Sequence, residues 1–185
     1  MKEIIRKELK EKRSKQVYKE NRKKSKEIKE KLFNLPEYKS AKTVLFYISY
    51  NTEVFTHDMI NEALKEKRVI VPIINKKNCS LSLSYLESWD DLKIGAYGIL
   101  EPRKKCIKKV LIEDIDLIVI PGIGFDIKGN RMGHGKGYYD RLLKKSKAIH
   151  IGLAFDFQIV DIIPLENHDI PVEIIITETR VIMCK

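Results

Sequence analysis

The sequence predicts an α/β fold, a three-layer sandwich built on a mostly parallel sheet. Three observations carry that prediction. Five short runs, TVLFYIS (43–49), VIVPII (69–74), DLIVIP (116–121), AIHIGLAF (148–155) and VEIIIT (172–177), are apolar at nearly every position, as strands covered on both faces must be. Segments of helical periodicity separate several of them. A glycine-rich loop follows DLIVIP and runs straight into a helical segment, the place where open α/β sheets bind ligands.

The elements follow in order. Residues 2–33 hold no Gly or Pro and consist largely of good helix formers. Ile5 and Leu9 mark one face, and Val17, Ile28 and Leu32 a second, sparser one, with Ser14 as the expected cap of a second helix. Leu35-Pro36 ends it. After the first strand, THDMINEALKEKR (56–68) reads as a helix with Thr56 at its N-cap, Asp58 in its first turn and Lys65, Lys67 and Arg68 in its last. Met59, Ile60, Ala63 and Leu64 form its buried stripe. VIVPII completes a β-α-β unit, and the alternating LSLSYL (81–86) reads as an edge or antiparallel strand. Residues 87–113 read as irregular. YYDRLLKKSK (138–147) is the helix after the glycine loop, and RVIM (180–183) closes the chain.

At 185 residues the chain is expected to form one domain spanning 1–185, large enough to bury a full core. No apolar run is long enough to cross a membrane. The opening MKEIIRKELKEK lacks an apolar leader segment, so a cytoplasmic location is expected. The three cysteines and four histidines show neither a disulfide framework nor metal-ligand spacing. The net charge is +10, and residues 1–31 supply +8 of it through 14 basic and 6 acidic side chains. Such an arm suits a nucleic acid, an anionic membrane or a polyanionic small molecule, and equally a solvated helix surface.

The chemistry concentrates in PGIGFDIKGNRMGHGKGYYDR (121–141). Gly133, Gly135 and Gly137 alternate with His134 and Lys136. Glycines so spaced let backbone amides turn toward an anion, and the following helix adds its positive end. Lys136 brings a mobile charge and Arg131 a fork suited to phosphate. This is a phosphate cradle, though not a Walker A loop, which would need Gly at 130 and Ser or Thr at 137, where Asn130 and Gly137 stand. Nor is it a dinucleotide fingerprint, since Tyr138 occupies the third glycine position. Asp140 falls in the first turn of the helix, and a carboxylate beside bound polyphosphate calls for a cation such as Mg²⁺.

GFDIKGNRMGHGKGYYDR after DLIVIPG resembles the signature of the 5-formyltetrahydrofolate cyclo-ligase family. KEIIR, YISYNTEVFT, GILEP and IGLAFDFQIVDIIPLENHDIPVEIIIT resemble further family segments in the same order. The resemblance implies a fold of the sugar-isomerase and CoA-transferase type. It also implies an ATP- and Mg²⁺-dependent closure of 5-formyltetrahydrofolate to 5,10-methenyltetrahydrofolate, with release of ADP and phosphate, through a phosphorylated formyl oxygen attacked by N10. Lys2, Glu3, Ile4, Ile5 and Arg6 then fall on the ATP site, together with Arg131, Met132, Gly133, His134, Gly135, Lys136, Gly137, Tyr138 and Tyr139. Tyr50, Glu53, Phe55 and Tyr97 fall on the folate site, which shares His134 to Tyr138. Asp140 and Asp169 fall on the metal-linked positions, and Lys136, Arg131 and Tyr138 on the catalytic ones. Met132 stands where leucine is usual, and Phe55 where some relatives have an acid, which leaves the polar role to Glu53.

A small-molecule partner is therefore expected, a folate whose glutamate tail the surplus lysines would suit. A nucleic acid or membrane is not expected, and the chain should be a monomer. Two rival classes stay open on the residues alone. A phosphosugar isomerase or CoA-transferase on the same fold would consume no ATP. A nucleic-acid-binding protein would use the basic arm, although only Tyr18 and Phe33 interleave there.

Overall fold

The computed structural model describes residues 2–184. The basic arm forms two helices, α1 (Lys2–Ser14) and α2 (Tyr18–Asn34). Contrary to the sequence expectation, Ser14 does not cap the second. Its hydroxyl turns back to the Glu11 carbonyl at 2.8 Å, and Val17 stands at the N-cap of α2 without a side-chain bond. Pro36 then opens a short extra helix, α3 (Pro36–Ser40), where its fixed φ and missing N–H cost nothing.

β1 (Thr43–Phe46) is fully buried. The helix after it, α4 (His57–Ala63), is shorter than the sequence suggests. Thr56 stands at its N-cap but gives no cap bond, because its hydroxyl donates to the Tyr47 carbonyl at 2.7 Å instead. Lys67 lies beyond the helix, with its ammonium on the Ala41 carbonyl at 2.7 Å. β2 (Arg68–Asn75) pairs parallel to β1. β3 (Ser80–Leu86) returns antiparallel to it at the sheet edge. The stretch read as irregular holds a small two-stranded ribbon of β4 (Leu92–Ile94) and β5 (Leu100–Pro102).

β6 (Leu117–Pro121) pairs parallel to β1 on the side away from β2. β7 (Gly124–Asp126) and β8 (Arg131–Met132) form a hairpin ahead of α5 (Tyr138–Leu143). β9 (Ile149–Leu153), β10 (Ile159–Val160), β11 (Ile174–Ile176) and β12 (Val181–Met183) complete the chain. The main sheet has seven strands in the order β12-β11-β9-β6-β1-β2-β3, and β10-β7-β8 form a second, smaller sheet. Only β12 and β3, at the two edges, run antiparallel to their neighbours in the main sheet.

The strands alternate between two cores, so the apolar runs are buried on both faces. Val44, Phe46, Val69, Val71, Leu117 and Val119 pack under Ile28 and Leu32 of α2, Tyr38 of α3 and Met59, Ile60 and Ala63 of α4. Leu45, Ile70, Ile118, Ile120 and Ile175 face the other way, toward Phe125 of β7 and Leu142 and Leu143 of α5. Gly152 makes that second contact possible, because a Cβ there would lie 2.5 Å from the Phe125 ring. The chain leaves β1 toward β2 on one side while β6 occupies the other, so the crevice between β1 and β6 is the point where strand order reverses. The loops leaving β1 and β6 meet there.

Candidate active site

The loop after β1 is closed by its own hydroxyls. Ser49 N–H donates to Thr56 Oγ1, and Thr56 N–H donates to Ser49 Oγ, each at 3.0 Å. Tyr50 to Glu53 form the tip, with Asn51 in the left-handed region at φ +52°. The Tyr50 N–H donates to Glu53 Oε2 at 2.9 Å. Burial pushes the Glu53 carboxyl up, while the Tyr50 N–H and the charge of Arg13 pull it back. Phe55 follows, its ring engaged by two neighbours. The Arg22 guanidinium covers its ring at 3.6 Å and the His57 ring lies tilted beside it at 4.4 Å.

Asp126 fixes the base of the glycine loop. It is wholly buried and accepts from the N–H groups of Lys128, Asn130 and Ile163 and from the Asn130 amide, at 2.8–3.1 Å. Arg131 then enters the interior, its side chain 5% exposed, with Nη2 on Asp140 Oδ1 at 2.9 Å and Nη1 on the Pro121 carbonyl at 3.4 Å. A Cβ at Gly133 would lie 2.8 Å from Nη1, so only glycine lets the backbone lie directly on the guanidinium. The fork expected on phosphate thus supports the loop from beneath. Gly135 and Gly137 adopt φ of +90° and +64°, conformations that a side chain would strain. Met132 is buried, and Tyr139 packs against both cores, where burial raises its phenol well above the ordinary range.

α1 lies along this loop. Leu9 is its one buried residue and contacts Gly124 of β7. Arg6 Nε donates to the Gly133 carbonyl at 3.1 Å, and Glu3 pairs with Arg6. Lys2 bridges Asp169 at 2.7 Å and Glu166 at 3.1 Å. Burial works against its charge, but those two carboxylates hold its ammonium above the usual range. For Asp169, burial is likewise outweighed, here by Lys2 and the Glu166 N–H, and its carboxyl is depressed. Ile4 points outward, 64% exposed.

Lys2, Arg6, Lys10 and Arg13 recur at helical spacing along one face. His134, at the loop tip, feels three of them: partial burial and then the charges of Arg13, Lys10, Arg131 and Arg6 push its imidazole down to about 4. Its ring is therefore neutral at pH 7. Arg13 keeps a buried Nη1 with no hydrogen-bond partner among the described residues, and its charge acts on both Glu53 and His134. It stands where the β1 loop meets the glycine loop. Lysine-rich composition hid Lys10 and Arg13 from the sequence reading, although their register with Lys2 and Arg6 was available to find them.

The other wall comes from the β4–β5 ribbon and the β2–β3 hairpin. Tyr97 lies next to Lys136, whose Nζ donates to its hydroxyl at 2.8 Å. Tyr50 abuts Gly98, with its hydroxyl 3.2 Å from where a Cβ would stand. Arg141 ties the Lys136 carbonyl to the Cys79 carbonyl at 2.7 and 2.9 Å.

The two carboxylates expected to hold a metal are each claimed by a cation, Asp140 by Arg131 and Asp169 by Lys2. Among the described residues no group of three or more His, Cys, Asp or Glu side chains is placed to hold a metal ion. One carboxylate nevertheless fits a Mg²⁺ that takes its remaining ligands from phosphates and water. Asp140, beside the cradle, is that carboxylate.

The glycine loop is thus flanked by the cationic face of α1 on one side and by Tyr97 and the Tyr50–Glu53 turn on the other. Residues 1–178 match the 5-formyltetrahydrofolate cyclo-ligase family. A 5-formyltetrahydrofolate cyclo-ligase from Haemophilus influenzae is 33% identical over 144 residues, covering 75% of this chain and 76% of its own. The solved 5,10-methenyltetrahydrofolate synthetase of Aquifex aeolicus is 38% identical, with a TM-score of 0.88 over 100% of this chain and 93% of its own. A second, from Mycoplasma pneumoniae, is 26% identical, with a TM-score of 0.77 over 96% of this chain and 98% of its own. The chain belongs to the 5-formyltetrahydrofolate cyclo-ligase family.

Proposed function

We propose that the protein closes 5-formyltetrahydrofolate to 5,10-methenyltetrahydrofolate at the expense of ATP. The observation that carries this reading is the seating of α1 on the glycine loop through Arg6 and the Gly133 carbonyl. That contact sets a row of cations beside a loop shaped for phosphate, with the exposed rings of Tyr50 and Tyr97 nearby to flank a flat heterocycle. A phosphosugar isomerase would consume no ATP and would need no cationic helix face beside the cradle. The basic arm needs no nucleic acid to account for it, because its positive stripe faces the protein's own cleft.

An N-formyl amide is a poor electrophile because its nitrogen donates into the carbonyl. ATP supplies a phosphoryl group that the formyl oxygen takes up. N10 then attacks the formyl carbon, the oxygen leaves as phosphate and N10 loses its proton. The chain's task is alignment and charge neutralisation. Lys136 meets the transferring phosphoryl group, and Arg6, Lys10 and Arg13 hold the rest of the polyphosphate. Arg131 and Gly133 fix the loop, and Asp140 offers one oxygen to a Mg²⁺ arriving with the nucleotide. Glu53 accepts the pterin's N–H groups, with Tyr50 and Tyr97 flanking the ring. His134, neutral at pH 7, places no further positive charge on the loop.

The test incubates the protein with 5-formyltetrahydrofolate and MgATP. The methenyl chromophore should grow with equimolar release of ADP, and neither should form when either partner is omitted or the metal is chelated. Lys136→Met should lower kcat roughly 100-fold or more while folate affinity stays. Product formation without ADP release would overturn the reading.

A further inference from the structure

We infer that Tyr97 is a positioning residue for Lys136: its phenolic oxygen holds the lysine's ammonium at the mouth of the phosphate cradle, apart from any surface its ring offers the folate. This rests on the reading of Lys136 as the cation that meets the transferring phosphoryl group.

Lys136 is a long, flexible side chain on a loop with glycine on either side, so its backbone does little to aim it. Tyr97 supplies the aim. Its hydroxyl accepts from Lys136 Nζ at 2.8 Å, and the same ammonium lies 4.8 Å from the centre of its ring. Lys76, from the turn between β2 and β3, brings a second ammonium to 4.4 Å from that ring. Two cations at one phenol favour its oxygen as an acceptor and hold the ring by cation–π attraction.

The backbone is bent to deliver this contact. Tyr97 adopts φ +56° and Gly98 φ +79°. A left-handed conformation is costly for a bulky aromatic residue and persists where surrounding contacts require it. Tyr50, packed against Gly98, is such a contact.

The groups facing the pair are Lys76, Tyr138 and Cys79, with Arg141 holding the Lys136 carbonyl. The bond to Lys136, and then Tyr138, lowers the Tyr97 phenol, while the bond from Tyr97 raises the Lys136 ammonium above its ordinary range. Tyr97 thus keeps Lys136 in place.

Tyr97→Phe removes one oxygen and keeps the ring. We expect kcat to fall about 10-fold while KM for 5-formyltetrahydrofolate changes by less than about twofold. The alkaline limb of the kcat profile should move to lower pH, because the group that raises Lys136 is gone. In a Lys136→Met background the same substitution should cost nothing more, since the pair acts as one unit. A wild-type kcat in Tyr97→Phe, a rise confined to KM, or additive losses in the double variant would each overturn the inference. Full turnover by Lys136→Met alone would instead remove the reading of Lys136, and the tether with it.

Discussion

α1 and α2 come from one continuous lysine-rich stretch, with only Lys15, Gln16 and Val17 between them, and they meet the protein in opposite ways. α2 buries Asn21, Ser25, Ile28 and Leu32, a stripe at helical spacing that closes the core over β1, β2 and β6. α1 buries Leu9 alone and turns Arg6, Lys10 and Arg13 toward the glycine loop. The difference lies in the phase of the apolar residues, not in composition. A helix with a full buried stripe is held by the core. One with a single anchor is held by its polar contacts, and those contacts can also serve a ligand.

Substitutions that separate core burial from charge placement test this contrast. The largest effect is expected in α2. Leu32→Ala or Ile28→Ala should cost about 2–5 kcal/mol and lower Tm by roughly 5–15 °C, with kcat and KM unchanged in the molecules that remain folded. Arg6→Ala should show the reverse signature. Its charge-assisted bond and its reach to phosphate predict a loss of about 100-fold in kcat/KM for ATP, with Tm shifted by only a few degrees in a thermal melt. Loss of activity together with a large drop in Tm would make α1 a core helix and end the comparison.

Leu9→Ala sharpens it further. α1 should loosen without the rest of the protein, raising KM for ATP about 10-fold and speeding amide exchange across residues 2–14 while 18–34 stays protected. The His134 imidazole gives a smaller readout. Because partial burial and the cations around it depress it to about 4, bound phosphate should raise it. Calorimetry near pH 5 in buffers of different ionisation enthalpy should therefore show proton uptake on ATP binding, reduced in His134→Gln. By linkage, that part of the affinity grows as pH falls from 6.5 toward 4. At the bottom of the scale, Lys23→Gln and Lys26→Gln, both at exposed positions of α2, should change stability by less than about 0.5 kcal/mol and leave KM for ATP untouched.

Much of this was legible in the sequence because the signals are local. DLIVIP and VIVPII carry their double burial in their own composition, and Gly133 to Gly137 advertise a backbone that must approach something closely. What was not legible depends on which partners the fold brings together. Asp169 is claimed by Lys2, 167 residues away, and Asp140 by an Arg131 that turns inward rather than to solvent. Phe55 looked available until Arg22 covered it. β7, β8 and β10 are two or three residues long, too short for any periodicity to show. The break between α1 and α2 carries neither Gly nor Pro. The Tyr97–Lys136 bond joins positions 39 apart, and nothing in either segment signals the other.

Hydrogen exchange with and without MgATP tests the central claim, that the glycine loop and the cationic face of α1 together grip the nucleotide's phosphates. Bound MgATP should add protection in residues 3–13 and 133–139 and none in 18–34, and both gains should be lost in Arg6→Ala. Protection confined to another region, or gained equally by α2, would contradict it.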